Sequence, residues 1–312
     1  MLGRQTPLAM RLHKALRGNT SAGREKTIGL SQIHSAARQS IRPRDASVSS
    51  EAQPHLIEAG EVQVTPQWQR VEFSEAFVDP VVMANAVSPS GGAPALIGVR
   101  HVEPTGFEIR VQQTIGEAGT PTSAVAGFLV LERGTYTLSD GTLVEAGNVV
   151  ATLSGASQTM PFSRPFNRIP VVLTAVSSDD EVGPVTSRVQ SVTKSDLCVD
   201  LYGGGSVTHV SSNVRLSYIA WEPSAGTLQG IAFEAQRAQG VGHGRRHSLV
   251  FLGAFDAPPV LLAEVQGGGS GHPLTLRWDA KRADGVEVTI DAGPQGNDAH
   301  DASAELGYIA LR

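Results

Sequence analysis

A threefold internal repeat constrains this chain more than any other feature of its sequence. Phe77, Phe166 and Phe255 stand 89 residues apart, and each is followed within four residues by a proline and then a valine. A second marker recurs as the stretches GFLVLE, SYIAWE and GYIAL at residues 127–132, 217–222 and 307–311. Two markers in one register indicate a tandem triplication, in which each residue belongs to a set of three.

Charge divides the chain into a basic leader and an acidic body. Of the 25 Lys and Arg and the 30 Asp and Glu, residues 1–44 hold nine and one, which leaves 16 and 29 elsewhere, a net charge of −13. Phosphate contacts need clustered Lys and Arg, so the body is not expected to bind nucleic acid. No stretch has the apolar length of a membrane span, and the start lacks a secretory signal, so we expect cytoplasmic synthesis without membrane insertion. The single cysteine, Cys198, excludes an intrachain disulfide.

Residues 1–55 are predicted to be a basic docking segment that is partly helical and ends in a linker. Leu8, Leu12 and Leu16 recur at a helical spacing with basic residues between them. Such a helix also suits a membrane surface or a calmodulin-like groove. We favour docking onto, or oligomerisation with, other proteins of a larger assembly.

From Leu56 onwards the pattern is that of short β-strands. Residues 61–64, 69–73 and 107–111 alternate apolar with polar residues, and turn signals such as Ser90-Gly91-Gly92 and Asp284-Gly285 separate the strands. About six strands in each repeat, with one face exposed to water, predict antiparallel β-sandwiches. The predicted fold is therefore all-β, with three tandem six-stranded sandwiches at residues 56–134, 135–223 and 224–312.

The third unit departs most from the other two. Units one and two open with similar phrases that end in Gly60 and Gly147, and the matching phrase in unit three is taken to end in Gly226. Counted from these glycines, the marker phenylalanines follow after 17, 19 and 29 residues. This interval predicts an expanded loop in unit three that includes residues 240–247.

The spacing of Phe77, the strand at 80–82 and the turn at 104–107 resembles the H-type lectin domain, and the resemblance recurs more weakly in units two and three. It implies six-stranded sandwiches that usually form trimers and that bind N-acetylgalactosamine in invertebrate agglutinins and discoidins. The family's sugar-binding arginine is matched by Pro94, Pro184 and Pro273. Its Trp-His pair is matched by residues 114–115, 204–205 and 293–294, which hold no aromatic ring. The resemblance therefore speaks for fold rather than ligand.

Candidate carbohydrate-binding residues lie in the expanded loop predicted for unit three and at one strand end. His243, Arg245, Arg246 and His247 combine arginine forks with glycines that let a ligand approach the backbone. Tyr202 follows a strand and precedes a glycine run, which could expose its ring for stacking. The competing interpretation is a solvated surface loop. No metal or cofactor is expected, because glycines break the helix that a His243-His247 zinc site would need.

The leading functional hypothesis is a carbohydrate- or receptor-binding appendage, a tail fibre or head spike of a phage-like particle or gene transfer agent. It would attach to surface polysaccharide and contact other particle proteins through residues 1–55. No nucleophile-base motif is present, so an enzyme is not expected. The alternatives are a structural connector without a ligand and a free cytoplasmic lectin. A homotrimer is the expected assembly, although three domains in one chain could also close an intrachain pseudo-trimer.

Overall fold

The computed structural model describes most of the repeat region and shows that it is built of β-strands. Residues 52–312 form one compact unit. The described residues are 55–87, 95–113, 123–153, 156–177, 185–203, 213–241, 244–267, 274–292 and 304–312. The predicted leader lies outside them, apart from its last residue. No helix occurs in the described part, so the all-β prediction is confirmed.

The described residues form twenty strands, in three groups. The first group is β1 (Ile57–Val64), β2 (Gln69–Glu72), β3 (Pro80–Val87), β4 (Ala95–Glu103), β5 (Gly106–Gln113) and β6 (Ala124–Glu132). The second is β7 (Gly134–Thr137), β8 (Leu143–Thr152), β9 (Gln158–Pro161), β10 (Val171–Ser177), β11 (Val185–Val192), β12 (Asp196–Gly203) and β13 (Asn213–Trp221). The third is β14 (Ser224–Leu228), β15 (Ile231–Val241), β16 (Arg246–Val250), β17 (Val260–Val265), β18 (Leu274–Arg282), β19 (Gly285–Ala292) and β20 (Ala304–Leu311).

Each group repeats one pairing pattern. The inner sheets, as we call them, have the orders β1-β6-β3, β8-β13-β10 and β15-β20-β17, and the outer sheets have the orders β2-β5-β4, β9-β12-β11 and β16-β19-β18. Two extra edge strands, β7 and β14, pair with β8 and β15. A single parallel pairing of Ser177 with Val99 joins the outer sheet of unit one to the inner sheet of unit two, which gives a seven-stranded sheet. The predicted boundary after residue 134 falls at the first residue of β7, and the boundary after residue 223 directly precedes β14.

The marker phenylalanines close one end of each unit's own core. Phe77 packs edge-on against Phe73 with ring centroids 5.0 Å apart, and Phe166 packs likewise against Phe162 at 4.9 Å. Their backbone N–H groups donate to the carbonyls of the turns between the two long outer strands, at Pro104 and Lys194. Phe255 repeats both contacts in unit three. The 89-residue interval therefore reflects a repeated aromatic corner.

The closing strands β6, β13 and β20 are buried on both faces. In β13, Leu216, Tyr218 and Ala220 face the core of unit two, whereas Ile219 and Trp221 face a second core. A strand that is buried on both sides needs apolar residues at every position, which explains the uninterrupted runs of the second marker. The expectation that each sandwich keeps one face of its sheets in water is therefore wrong for these strands.

The second core, which we call the shared core, is formed by all three units together. It includes Met83 and Leu131 of unit one, Leu173 and Trp221 of unit two, and Leu262 of unit three. Trp221 is fully buried, and its ring centroid lies 4.7 Å from that of Phe233 in the next unit. The units are therefore joined by packing of the kind found inside a single domain.

The contacts between units form a closed cycle. Strand β3 touches β13, β10 touches β20 and β17 touches β6. Strands β3, β10 and β17, which we call the third strands because they stand third in the inner-sheet orders, therefore each meet the closing strand of the next unit. The three third strands also touch one another pairwise. This arrangement has the connectivity of a threefold ring made within one chain.

Candidate functional site

The outer faces of the three outer sheets occupy equivalent places and carry different side chains. In register, Ile109, Val199 and Val288 are equivalent inward-facing residues of β5, β12 and β19. The next residues along these strands, which face outward, are Arg110, Asp200 and Thr289. At the N-terminal ends of β2, β9 and β16, the equivalent residues are Trp68, Ser157 and Arg246. These positions make the outer faces the natural place to compare the units as binding surfaces.

In unit one, two arginines stack on the ring of Trp68. The guanidinium carbon of Arg100 lies 4.3 Å from the ring centroid, and that of Arg110 lies 4.2 Å from it. Arg100 and Arg110 reach the ring from the paired strands β4 and β5, and Trp68 directly precedes β2. Three neighbouring strands therefore assemble one aromatic and two cationic groups, which attract each other through the negative face of the indole.

Only one of these two cations is balanced by a carboxylate. Arg100 Nε donates to Glu108 Oε2 at 2.7 Å, and this bond is the main cause that holds the pKa of Glu108 below its usual value. His101 Nδ1 lies 3.3 Å from the same oxygen, at a β-bulge where His101 adopts a φ of 46°. The bulge therefore turns an extra nitrogen toward Glu108 beside the stack.

Arg110 has no carboxylate partner among the described residues. Its Nε is buried and makes no hydrogen bond. Burial lowers the pKa of its guanidinium, and the charge of Arg100 lowers it further. Its cross-strand neighbour is Gly98, where an added Cβ would lie 2.7 Å from the Gln112 side-chain amide. The result is a partly buried cation with an unused donor, beside an amide and a position without a side chain.

The equivalent face of unit two is organised around Asp200, and it holds the predicted residue Tyr202. Tyr202 Oη donates to Asp200 Oδ2 at 3.2 Å, and Gln190 Nε2 donates to the same oxygen at 2.5 Å. Burial raises the pKa of the Tyr202 phenol, and Asp200 raises it further. The ring of Tyr202 is half-buried rather than fully exposed.

In unit three the predicted arginines lie at the start of β16. Arg246 and Arg245 are exposed, and His247 is half-buried. Arg246 lies 3.4 Å from Asp279 and 3.3 Å from Glu287, so two carboxylates of the same sheet balance its charge. His243 lies outside the described residues. The structure therefore places Tyr202 on one outer sheet and the arginines on another.

The expanded loop predicted in unit three is not present, because the residue equivalent to Gly60 and Gly147 is Gln236 rather than Gly226. Glu58, Glu145 and Glu234 are the structurally equivalent residues of the first inner strands, and each accepts a hydrogen bond from the backbone N–H of residue 74, 163 or 252. Counted from these glutamates, the marker phenylalanines follow after 19, 21 and 21 residues. The segment near Gly226 belongs to the additional edge strand β14.

The resemblance also named positions that the structure does not describe. Pro94, Pro184 and Pro273, and the pairs at 114–115, 204–205 and 293–294, all lie outside the described residues. Sequence reasoning missed Trp68, Arg100 and Arg110 because they come together only through the register of three strands. The one signal available was the alternation of Glu108, Arg110 and Gln112 on a strand, which placed these side chains on one face.

A cavity of about 110 Å³ lies where the three units meet, and we call it the axial cavity. Its lining includes Asn85, Thr174 and Glu264, one from each unit in turn. Glu264 accepts hydrogen bonds from both the backbone N–H and the hydroxyl of Thr174, and burial raises its pKa to about 8. Ligand pockets commonly measure about 300–1,000 Å³, so this cavity suits ordered water better than a sugar.

In the described part of the chain, no group of three or more His, Cys, Asp and Glu residues is placed to hold a metal ion. The same residues contain no helix of the length and apolarity that a membrane crossing requires.

Comparison with known proteins relates the chain to a small part of a much longer protein. No family model matches the chain, and no solved structure matches it. Among curated proteins, the chain is 26% identical over 300 residues to halomucin of Haloquadratum walsbyi (strain DSM 16790 / HBSQ001). The match covers 91% of this chain but only 3% of halomucin, so the chain spans a small fraction of that relative's length.

Proposed function

We propose that this chain is a carbohydrate- or receptor-binding appendage protein, a tail fibre or head spike of a phage-like particle, and that it attaches to surface polysaccharide. Its body would consist of three H-type-lectin-like six-stranded sandwiches. Support for this comes from the repeated pairing of a three-stranded inner sheet with a three-stranded outer sheet around a separate core in each unit. The leader would dock the body onto other particle proteins.

The closed cycle of contacts between units is the observation that carries this proposal. Units related by a rotation axis place their equivalent groups at the same level along that axis. The three outer faces therefore form one ring around the body. In each unit, the unit's own core separates the outer sheet from the inner sheet and the shared core. The outer face of each outer sheet is therefore turned toward the surroundings. Three weak sites held in a fixed geometry gain affinity through avidity. The ring supplies, in one chain, the arrangement that a trimer of single-domain lectins reaches with three chains.

The match to halomucin supports a modular role for the body. A segment similar to nearly all of this chain occurs within a much longer protein. A compact unit with its own cores and a shared core can be carried in such a context, because its contacts are satisfied internally.

A structural connector is the second candidate, and the charge balance in unit three favours it. Arg246 is neutralised by Asp279 and Glu287 within its own sheet, and so offers less to a soluble ligand than an unpaired arginine. In this alternative the outer faces would contact only neighbouring proteins of the assembly.

Retention of the full-length chain on immobilised polysaccharides distinguishes the two candidates. A panel of capsular and envelope polysaccharides, with neutral and acidic members, would be tested with the purified chain. We expect retention on at least one member and release by the same polysaccharide in solution. A folded chain that is retained on no member would overturn the attachment function in favour of the connector.

A further inference from the structure

We infer that the outer face of unit one, formed by Trp68, Arg100, Arg110 and Gln112, binds an acidic sugar residue of a polysaccharide through its carboxylate or sulfate. This inference rests on the proposed attachment function and assigns its ligand class. It makes the three equivalent faces unequal, with the anion site in unit one alone.

The first argument is the charge left over on each face. In unit one, Glu108 balances Arg100, and Arg110 is left without a carboxylate among the described residues. In unit three, the carboxylates of Asp279 and Glu287 both lie beside Arg246, on a face that also carries Arg277. In unit two, the equivalent of Arg110 is the anion Asp200, which accepts hydrogen bonds from its neighbours. The faces of units two and three therefore carry carboxylates beside their arginines, whereas Arg110 of unit one has none beside it among the described residues, so an anion is attracted to Arg110.

The second argument is the unused hydrogen-bonding capacity of Arg110. A guanidinium has five N–H donors in a planar fork that matches a carboxylate or a sulfate. Arg110 Nε is buried without a partner, and burial already disfavours its charge. Since no described carboxylate partners this fork, a bound anion would offer acceptors to its other N–H groups and favour the charged guanidinium.

The third argument is that the site is held in shape before any ligand binds. Trp68 stacks with both guanidinium groups, which restricts two long side chains that would otherwise sample many rotamers. Gly98 leaves the sheet without a side chain opposite Arg110, and the Gln112 amide beside it can bind a hydroxyl group. In units two and three the place of Gly98 is taken by Arg188 and Arg277.

The acidic body limits which polymers fit this site. The net charge of −13 outside residues 1–44 repels a densely charged polyanion at a distance, and salt screens that repulsion. The suitable ligand is therefore a polysaccharide with acidic residues separated by neutral ones. Such a chain can place one anionic group on Arg110 while its neutral residues lie over the rest of the face.

The test uses matched acidic and neutral oligosaccharides with the full-length chain at low ionic strength. Hyaluronan oligosaccharides supply one carboxylate for every two sugars, and their carboxyl-reduced forms supply none. Oligosaccharides of kappa-carrageenan supply sulfate instead, and agarose oligosaccharides are their neutral counterparts. Titration calorimetry would give the dissociation constant for each. We expect binding to at least one acidic series and no measurable binding to its neutral counterpart.

Three variants locate the binding. Arg110→Gln should weaken it by about tenfold or more, since a charge-assisted bidentate contact is lost. Arg110→Lys keeps the charge without the fork and should show an intermediate loss. Arg282→Gln removes the same charge from an exposed ion pair with Asp284 and should leave affinity unchanged. Thermal unfolding of each variant checks that the fold is retained, and Arg110→Lys serves if Arg110→Gln does not fold.

The outcomes separate this inference from the function on which it rests. If acidic and neutral members bind equally, or if folded Arg110 variants bind like the unmodified chain, the acidic-sugar site is wrong while polysaccharide attachment stands. If the chain binds none of these oligosaccharides but is retained on a neutral polysaccharide of the panel, the same conclusion follows. Absence of binding to every polysaccharide overturns both.

Discussion

Equivalent positions in the three units carry side chains of different charge. In the axial cavity, this difference raises the pKa of one carboxyl group. Asn85, Ala175 and Glu264 are equivalent residues of β3, β10 and β17. Only Glu264 can ionise, and its side chain is partly buried in the wall of the cavity. Thr174 of the neighbouring unit donates two hydrogen bonds to it, but burial outweighs them and raises its pKa to about 8. Near neutral pH, the carboxyl group is therefore mostly protonated in the folded chain.

Glu264→Gln should remove a pH-dependent loss of stability. The pKa of Glu264 is higher in the folded chain than in the unfolded chain, so its contribution is fully favourable below the unfolded pKa of about 4.5 and is lost as pH rises toward 8. Each pKa unit corresponds to about 1.4 kcal/mol, so the loss is of the order of 4 kcal/mol by pH 8. Glutamine keeps an acceptor for the Thr174 N–H without a charge.

Urea unfolding at pH 5 and pH 8 would measure this difference. The unmodified chain should lose more stability between the two pH values than the Glu264→Gln variant. Parallel pH profiles for the two proteins would contradict the assignment of the effect to Glu264.

At the scale of elements, the pairing of β2 with β5 and of β16 with β19 depends on close contact between the backbones of the two strands. A Cβ added to Gly106, at the start of β5, would lie 2.3 Å from the Val71 carbonyl oxygen of β2. The same holds for Gly285 of β19, where the added atom would lie 2.5 Å from the Leu249 oxygen. These glycines let the short first outer strands pair directly with the turn ends of the long ones.

Gly106→Ala should destabilise unit one by separating β2 from β5. The obstructing atom belongs to the backbone and cannot rotate away, so we expect a loss of about 1–3 kcal/mol in the free energy of unfolding. Gly253→Ala is the matched control, because an added Cβ there meets no atom within 4 Å. Denaturant titration would compare the two. Equal stability of both variants would show that β2 shifts freely, in conflict with the close pairing.

Sequence patterns predicted the strands and the repeat well, because both follow from local alternation and from markers kept in one register. They failed where a repeat had lost its marker residue. Gln236 stands where units one and two have Gly60 and Gly147, so the sequence pattern points to Gly226 instead. The Trp68 stack could not be predicted, since it needs the cross-strand register of β4 and β5 and the bulge at His101. Burial of the closing strands on both faces depends on contacts between units, which no single repeat encodes.

At the scale of the whole molecule, the shared core bears on the two assemblies that the repeat left open. The apolar faces that join the units belong to one chain, and each third strand already meets the closing strand of the next unit. This closure favours the intrachain pseudo-trimer over the homotrimer. We expect a single chain of 32.7 kDa in solution. Light scattering after size-exclusion chromatography would measure the mass, and a threefold multiple would favour the homotrimer.

The shared core also predicts that the three units unfold together. Trp221 of unit two is fully buried in that core, against Phe233 of unit three. Trp221→Ala should lower stability by about 3–5 kcal/mol, as for other large buried aromatics. The chain has three tryptophans, so fluorescence of this variant comes only from Trp68 and Trp278, in the two units that do not carry the change.

Units one and three both contribute to the shared core, which the Trp221→Ala change weakens. The urea midpoint measured by the fluorescence of Trp68 and Trp278 should therefore decrease as much as the midpoint measured by circular dichroism. Val150→Ala, at a side chain that is 75% exposed, is the control and should shift neither midpoint. If fluorescence kept its original midpoint while circular dichroism reported an earlier loss of part of the strands, the units would be independent domains in series. The ring of three outer faces would then lose the rigid geometry on which avidity depends, and attachment through several faces at once would have to be abandoned.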